Sequence, residues 1–245
     1  MKISLSGNYL VYEKQYSLND IESLINKHQL NGLSIMSLLS DEIVGSLEFL
    51  RDATFLKGLS IVGCDFFDLS SITALKDLVT INLNVFNQSF TDFSEFKHLK
   101  SISLSMQRKK HEICLPDSLV NLYLEEIKDD SLQFLHGGFS LSRLKIKSSS
   151  LKRIDIKQAY SNIEYLYLGG ISGINEIIAD LPTSVIDLTL DSLRGLKKVS
   201  LENMGNLKDI EIRNCKSLVE LINIPPSAKR NIFGCNKLEI VPQQG

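Results

Sequence analysis

Several features that would point to a function are missing from this chain, and each gap removes a class of explanation. Charge of one sign is not in excess: 27 Lys and Arg against 29 Asp and Glu leave a net charge of −2. No general field draws in nucleic acid or an anionic membrane, and neither is expected as a partner. No stretch approaches the roughly 18 apolar residues of a membrane span, and the N-terminal Met1 to Asn8 turns polar too soon for a secretory leader. The expectation is a protein that stays in the cytoplasm. Cysteine is sparse, with Cys64, Cys114, Cys215 and Cys235 far apart and without CxxC spacing, so neither a disulfide framework nor a zinc site is expected. The four thiols read as small buried apolar groups.

Catalytic signatures are missing too. The histidines, His28, His98, His111 and His136, form no pair at metal-ligand spacing, and the single HxxC of His111 and Cys114 lacks the further ligands zinc needs. There is no GxSxG, phosphate-binding loop, HExxH or Rossmann glycine pattern. The acidic doublets Glu125-Glu126 and Asp129-Asp130 and the basic run Met106 to His111 read as solvated loops. No enzyme, cofactor or metal is expected. No Pro-, Gly- or Ser-rich tract or charge block suggests a disordered tail, and with 43% hydrophobic and 23% charged residues the chain should fold throughout.

What is present is a repeat. The pattern Leu-x-x-Leu-x-Leu, with Ile or Val substituting, begins at Leu30, Leu56, Leu78, Leu99, Leu119, Leu141, Ile163, Val185 and Leu207. The first step is 26 residues and the others are 20 to 22. Each unit ends in strict alternation, the pattern of a short strand with one apolar face. One such strand cannot bury that face alone, so successive units must stack with their strands in parallel around a shared interior.

These units resemble the leucine-rich-repeat family over residues 30 to 245. Asp68-Leu69-Ser70-Ser71-Ile72 and Asp92-Phe93-Ser94-Glu95-Phe96 are similar to the D-I-S-x-L segment of internalin-type repeats. Leu115-Pro116-Asp117-Ser118 and Leu181-Pro182-Thr183-Ser184 are similar to the L-P-x-S lead-in of many bacterial repeats. The resemblance implies an α/β solenoid: a curved coil with a parallel β-sheet on its concave face and a hairpin and helix cap at the N-terminus. Further runs at Leu151 to Ile156, Leu196 to Leu201 and Leu218 to Leu221 predict short extended segments on the convex side. The family commonly places Asn or Cys eight residues after the first Leu. Here Cys64 and Cys215 comply, but Phe86, Gln107, Ile127, Ser149, Ile171 and Leu193 do not. Packing is therefore expected to set the turn, with irregular curvature.

Residues 1–29 read as the cap and 30–245 as the array, together one domain. Ile3, Leu5, Leu10 and Tyr12 alternate across a turn at Gly7-Asn8. Ser17 is placed to cap a helix with Ile21, Leu24 and Ile25 on one face, ending near His28. A second short helix holding Ile43, Leu47 and Leu50 would explain the long first step. Pro225-Pro226 opens a last partial coil.

The residues between the inward leucines should form the exposed concave face. The first four strands present small groups such as Gly32, Ser34, Gly58, Ser60, Asn82, Ser103 and Ser105. The later strands present Tyr123, Glu125, Arg143, Lys145, Lys147, Tyr165, Tyr167, Asp187, Asp191, Asp209, Glu211 and Arg213. Tyr and Arg favour interfaces because they join large contact area to polar groups, so this second set is the expected partner-binding surface. The resemblance implies a non-catalytic protein-binding module. Within it, the chain looks like a bacterial immunity protein that neutralises a cognate toxin domain, the alternatives being a host-directed effector or a general scaffold. The repeats do not specify an oligomeric state.

Overall fold

The structure is a computed structural model that describes residues 4–36, 47–63, 69–85, 91–105, 112–156, 160–178 and 181–238. The positions Ile3, Ile43, Cys64, Asp68, Phe86, Gln107 and the basic run 106–111 lie outside the described residues.

Twelve strands form the main sheet. A hairpin of β1 (Leu5–Ser6) and β2 (Tyr9–Val11) opens it. The five-residue strands β3 (Gly32–Met36), β4 (Gly58–Val62), β5 (Thr80–Asn84), β6 (Ser101–Ser105) and β8 (Asn121–Glu125) follow. The sheet continues with β10 (Arg143–Lys147), β11 (Tyr165–Gly169), β13 (Asp187–Asp191), β15 (Asp209–Arg213) and β17 (Lys229–Phe233). From β2 onward every pairing is parallel, and from β4 onward equivalent repeat positions lie side by side. This is the leucine-rich-repeat solenoid, with its parallel sheet on the concave face and, among the described residues, its α-helix at the N-terminal cap.

The inward residues build the core. From Leu33 and Ile35 to Ile210 and Ile212, the second and fourth residue of every main-sheet strand up to Arg213 is 2% exposed or less. Burying one such side chain contributes about 1.5–3 kcal/mol, so the row is the main source of cohesion between coils. β17 breaks the pattern, because its second position is the exposed Arg230. Its place follows from pairing with β15, which explains why the repeat pattern stops at nine while the coil adds a tenth strand.

The turn after seven of the main-sheet strands, though not after β5 and its Val85, corrects the expectation that packing alone sets it. Gly63, Glu126, Ser148, Gly170, Ser192, Asn214 and Gly234 all have positive φ, between 50° and 69°. The backbone N–H of each of the first six donates to the last strand carbonyl of the next coil, as in Ser148 to Gly169 at 2.9 Å and Gly170 to Asp191 at 2.8 Å. A left-handed kink thus extends the ladder one residue past the strand. Ile127, Ser149, Ile171, Leu193 and Cys215, one residue further on, are buried behind it.

Two smaller parallel sheets lie outside the main one. One joins β7 (Ile113–Leu115) to β9 (Leu135–Gly137), and the other joins β12 (Glu176–Ile178), β14 (Lys198–Ser200) and β16 (Glu220–Ile222). The runs at Leu196 and Leu218 therefore contain strands. The run from Leu151 to Ile156 does not. There the Lys152 and Arg153 amides both donate to the Asp130 carbonyl and the Asp155 carboxylate accepts from the Leu132 N–H, so a side chain replaces the ladder. The lead-in serines act as ties: Ser118 Oγ donates to the Leu99 carbonyl at 2.8 Å and Ser184 Oγ to the Ile163 carbonyl at 2.7 Å.

At the cap, α1 (Leu18–His28) starts with a reciprocal capping box between Ser17 and Asp20 and buries Ile21. The expected second short helix is a 3₁₀ turn, Glu48–Asp52, behind buried Leu47 and with Leu50 buried. Tyr12 stacks on Phe49 with ring centroids 4.7 Å apart, fastening cap to array. Among the described cysteines only Cys215 is fully buried, and burial pushes its thiol up to about 11. Cys114 and Cys235 are half-buried, contrary to expectation: Cys114 is the middle residue of β7, between buried Ile113 and Leu115, and Cys235 holds the place of Cys215 in the last described coil. No helix among the described residues is long and apolar enough to cross a membrane.

Candidate functional site

The two halves of the concave face differ in more than composition. At the N-terminal end, Tyr9, Gly32, Gly58 and Thr80 occupy successive strands in one row. The Tyr9 hydroxyl reaches Thr80 Oγ1 at 2.8 Å, and a Cβ on Gly58 would stand 3.0 Å from the Tyr9 ring. Gly58 leaves the space that this tyrosine occupies, while Gly32 lets the backbone of Gly58 approach. In the next row Ser34 and Ser60 are buried, with Asn82 Nδ2 donating to Ser60 Oγ at 3.1 Å. Ser105 is also buried, its hydroxyl donating to Glu126 Oε2 at 2.9 Å. These serines, expected on an open face, are used internally.

The second half is open. A groove of about 660 Å³ runs across β6 to β15, lined among others by Tyr123, Arg143, Lys145, Tyr165, Tyr167, Asp187 and Glu211. Seven of the twelve candidate residues therefore share one surface. Ser101, Ser103, Asn121 and Thr189 line it as well. They stand in the same outward register as the candidates, but small polar groups carry no interface preference from which sequence alone could mark them.

Alternation places Arg143, Lys145 and Lys147 on one side of β10, between the tyrosine strands β8 and β11. The Arg143 guanidinium lies 4.7 Å from the Tyr165 ring centroid. The Lys145 ammonium sits between Tyr123 and Tyr167, at 5.1 and 5.0 Å, and Lys147 reaches Tyr167 at 6.0 Å. Such contacts contribute roughly 0.5–2 kcal/mol each and fix the rings before a partner arrives. None of the three cations is ion-paired with a carboxylate among the described residues.

Glu125, Asp191, Glu211 and Arg213 are committed to other candidates. The Tyr123 hydroxyl donates to Glu125, and burial together with that carboxylate holds its pKa well above the ordinary phenol value. The Tyr167 hydroxyl donates to Asp191 Oδ2 at 3.1 Å, and its pKa is raised by burial and by Asp191. The same Asp191 oxygen takes the Arg213 guanidinium at 3.1 Å, and Arg213 also meets Glu211 at 3.7 Å. Tyr167 is accordingly half-buried, not open as expected: its ring lies over Gly169, where a Cβ would come within 2.5 Å of it. Tyr165 does stand open, at 38% exposure. On the acidic flank burial raises the Asp187 pKa, with Asp209 and Glu211 adding repulsion.

No group of three or more potential metal ligands occurs among the described residues, and His28, His98 and His136 are all exposed. Among the described residues, the groove presents fixed aromatic surface, positive charge without an ion pair and, at Asp187, negative charge without one.

The molecule is thus a leucine-rich-repeat solenoid whose concave groove carries tyrosines and charge. InlP of Listeria monocytogenes shares the fold, with a TM-score of 0.58 and 18% identity over 89% of this chain. The chain spans 63% of InlP's length. An internalin of the same organism, InlF, aligns with a TM-score of 0.35 and 15% identity, covering 94% of this chain and 84% of its own. No family model and no curated relative matches the sequence.

Proposed function

We propose that this chain is a non-catalytic protein-binding solenoid whose partner seats in the groove across β6 to β15. The observation that carries the proposal is the β10–β11 centre, where Arg143, Lys145 and Lys147 hold tyrosine rings in place and have no carboxylate partner among the described residues. Charge left unneutralised beside pre-set aromatic surface is available to a partner, and little side-chain entropy remains to be lost on contact. Within this function the role proposed is that of an immunity protein covering a toxin domain, a task that needs a rigid surface and slow release rather than chemistry.

A photo-reactive residue placed at Tyr165 and, separately, at Asn82 tests the site. The expected result is one protein adduct from the Tyr165 position and none from Asn82. Equal capture at both, or capture at Asn82 alone, removes the groove from consideration. For the immunity role, co-expression with a toxin domain encoded beside this chain should restore growth, and Tyr167→Ala should abolish the rescue. Failure of any such domain to bind sinks that role while leaving the groove as a binding site.

A further inference from the structure

The groove carries two opposite charges that do not meet. Arg143, Tyr165 and Asp187 lie in one row on adjacent strands, followed in that row by Asp209. The parallel row holds Lys145, Tyr167, Thr189 and Glu211. Strands in a sheet stand about 4.8 Å apart, so β10 is roughly 10 Å from β13 and roughly 14 Å from β15. The tyrosine strand separates them, and the Arg143 guanidinium rests on the Tyr165 ring at 4.7 Å rather than on a carboxylate. On the far side Asp187 and Asp209 form no ion pair among the described residues, and Asp187 is half-buried. Sequence position alone would let these charges cancel. The intervening aromatic strand keeps both ends open, a positive end and a negative end with an aromatic floor between.

Resting on the reading of this groove as a protein-binding surface, we infer that it takes a helix of its partner, laid across the strands. On one face that helix presents a carboxylate at position i, an apolar side chain at i+3 or i+4, and a Lys or Arg at i+7. The spacing follows from geometry: seven residues of helix advance about 10.5 Å, which matches the separation of the two charged ends and centres the apolar residue on the tyrosines. The choice of a helix follows from the backbone. The strands beneath the groove bond to neighbours on both sides, so a segment crossing their face finds no main-chain partners there. A helix satisfies its own N–H and C=O groups internally, whereas an extended segment would leave them unmet.

Because a helix turned end for end exchanges its charges, the inference is tested by inversion. A small three-helix bundle displayed on phage, randomised on one helix face, is selected against the whole chain. The expected winners carry acid, apolar residue and base at i, i+3 or i+4, and i+7, in either direction. Their affinity should fall at least tenfold with Arg143→Glu or Asp187→Lys alone, and return in the double variant. Arg143→Gln and Asp187→Asn, milder changes at the same positions, should each give an intermediate loss. Winners that are uniformly acidic, or indifferent to both Asp187 variants, overturn the two-ended helix while the groove stands, provided Tyr167→Ala releases them. Winners that Tyr167→Ala does not release, or no winners at all, overturn the groove reading as well.

Discussion

Strands β3 to β5 and the main-sheet strands from β8 to β15 are built on the same coil, with the same inward aliphatic row and the same parallel register, yet their outward faces do opposite things. The first region is closed by the protein's own groups: Tyr9 lies over Gly58 and bonds Thr80, and Ser34 and Ser60 are buried. The second leaves Tyr165, Arg143 and Lys145 open, and neither cation has an ion pair among the described residues. A solenoid spends its apolar side chains on one face of each strand, and the other face is then free to vary with small cost to the fold. The contrast teaches that tyrosine on such a face is not in itself a sign of binding. What distinguishes Tyr165 from Tyr9 is that Tyr9 has glycine neighbours and a threonine to bond, whereas Tyr165 has only a cation that a partner could share.

The contrast can be broken most severely from inside. Leu144 is 1% exposed at the centre of the array, and Leu144→Asp buries an unpaired carboxylate. A loss of at least about 4 kcal/mol is expected, seen as a collapse of the thermal transition by circular dichroism. Next comes the open region. Tyr167→Ala should weaken partner binding by about 2 kcal/mol, roughly thirtyfold, in titration calorimetry, while Asn82→Ala in the closed region changes it by less than about 0.5 kcal/mol.

Glycines sharpen the comparison further. Gly32→Ala puts a Cβ 1.9 Å from the Gly58 carbonyl oxygen and should cost about 1–3 kcal/mol of stability, with binding unchanged in the fraction that folds. Gly169→Ala instead meets the Tyr167 ring at 2.5 Å, so it should cost binding before stability. A smaller effect of opposite sign is expected at the kink: Ser148 has φ of 50°, and Ser148→Gly should raise stability by about 1 kcal/mol.

The smallest effect is a pH dependence. The Asp187 pKa is raised from 3.8 on folding, mainly by burial. The folded state therefore holds this proton more tightly than the unfolded chain, and the group's contribution is present below pH 3.8 and lost as pH rises through the folded value. Asp187→Asn should accordingly raise the melting temperature slightly at pH 7, and the difference should vanish in melts below about pH 4.

Much of this was legible from residues alone, for a physical reason. The nine strands from Gly32 to Arg213 fall where the alternation places them, because burial on one face and water on the other writes a period of two directly into the chain. The kink was less visible. It sits one residue before the position where Asn or Cys is usual, and its signal, Gly63, Gly170, Gly234 and Asn214 in equivalent places, is diluted by Glu126, Ser148 and Ser192, which adopt the same conformation at some cost. Short outer strands such as β7 and β12 have three residues each, too few for a pattern. At the groove, the outward register brought Arg143, Lys145, Tyr165, Tyr167 and Asp187 together as expected. Which of those side chains satisfy one another could not be read from spacing, since Tyr167 reaches Asp191 two positions along the next strand only because Gly169 leaves room for its ring.

The central claim is that partner contact is confined to the open region. Its most direct test is footprinting by tyrosine iodination of the chain alone and bound to its partner, read by peptide mass spectrometry. The account predicts that labelling at Tyr165 falls by at least about tenfold in the complex while labelling at Tyr9 stays as it was. Undiminished labelling at Tyr165 in a saturated complex would contradict it.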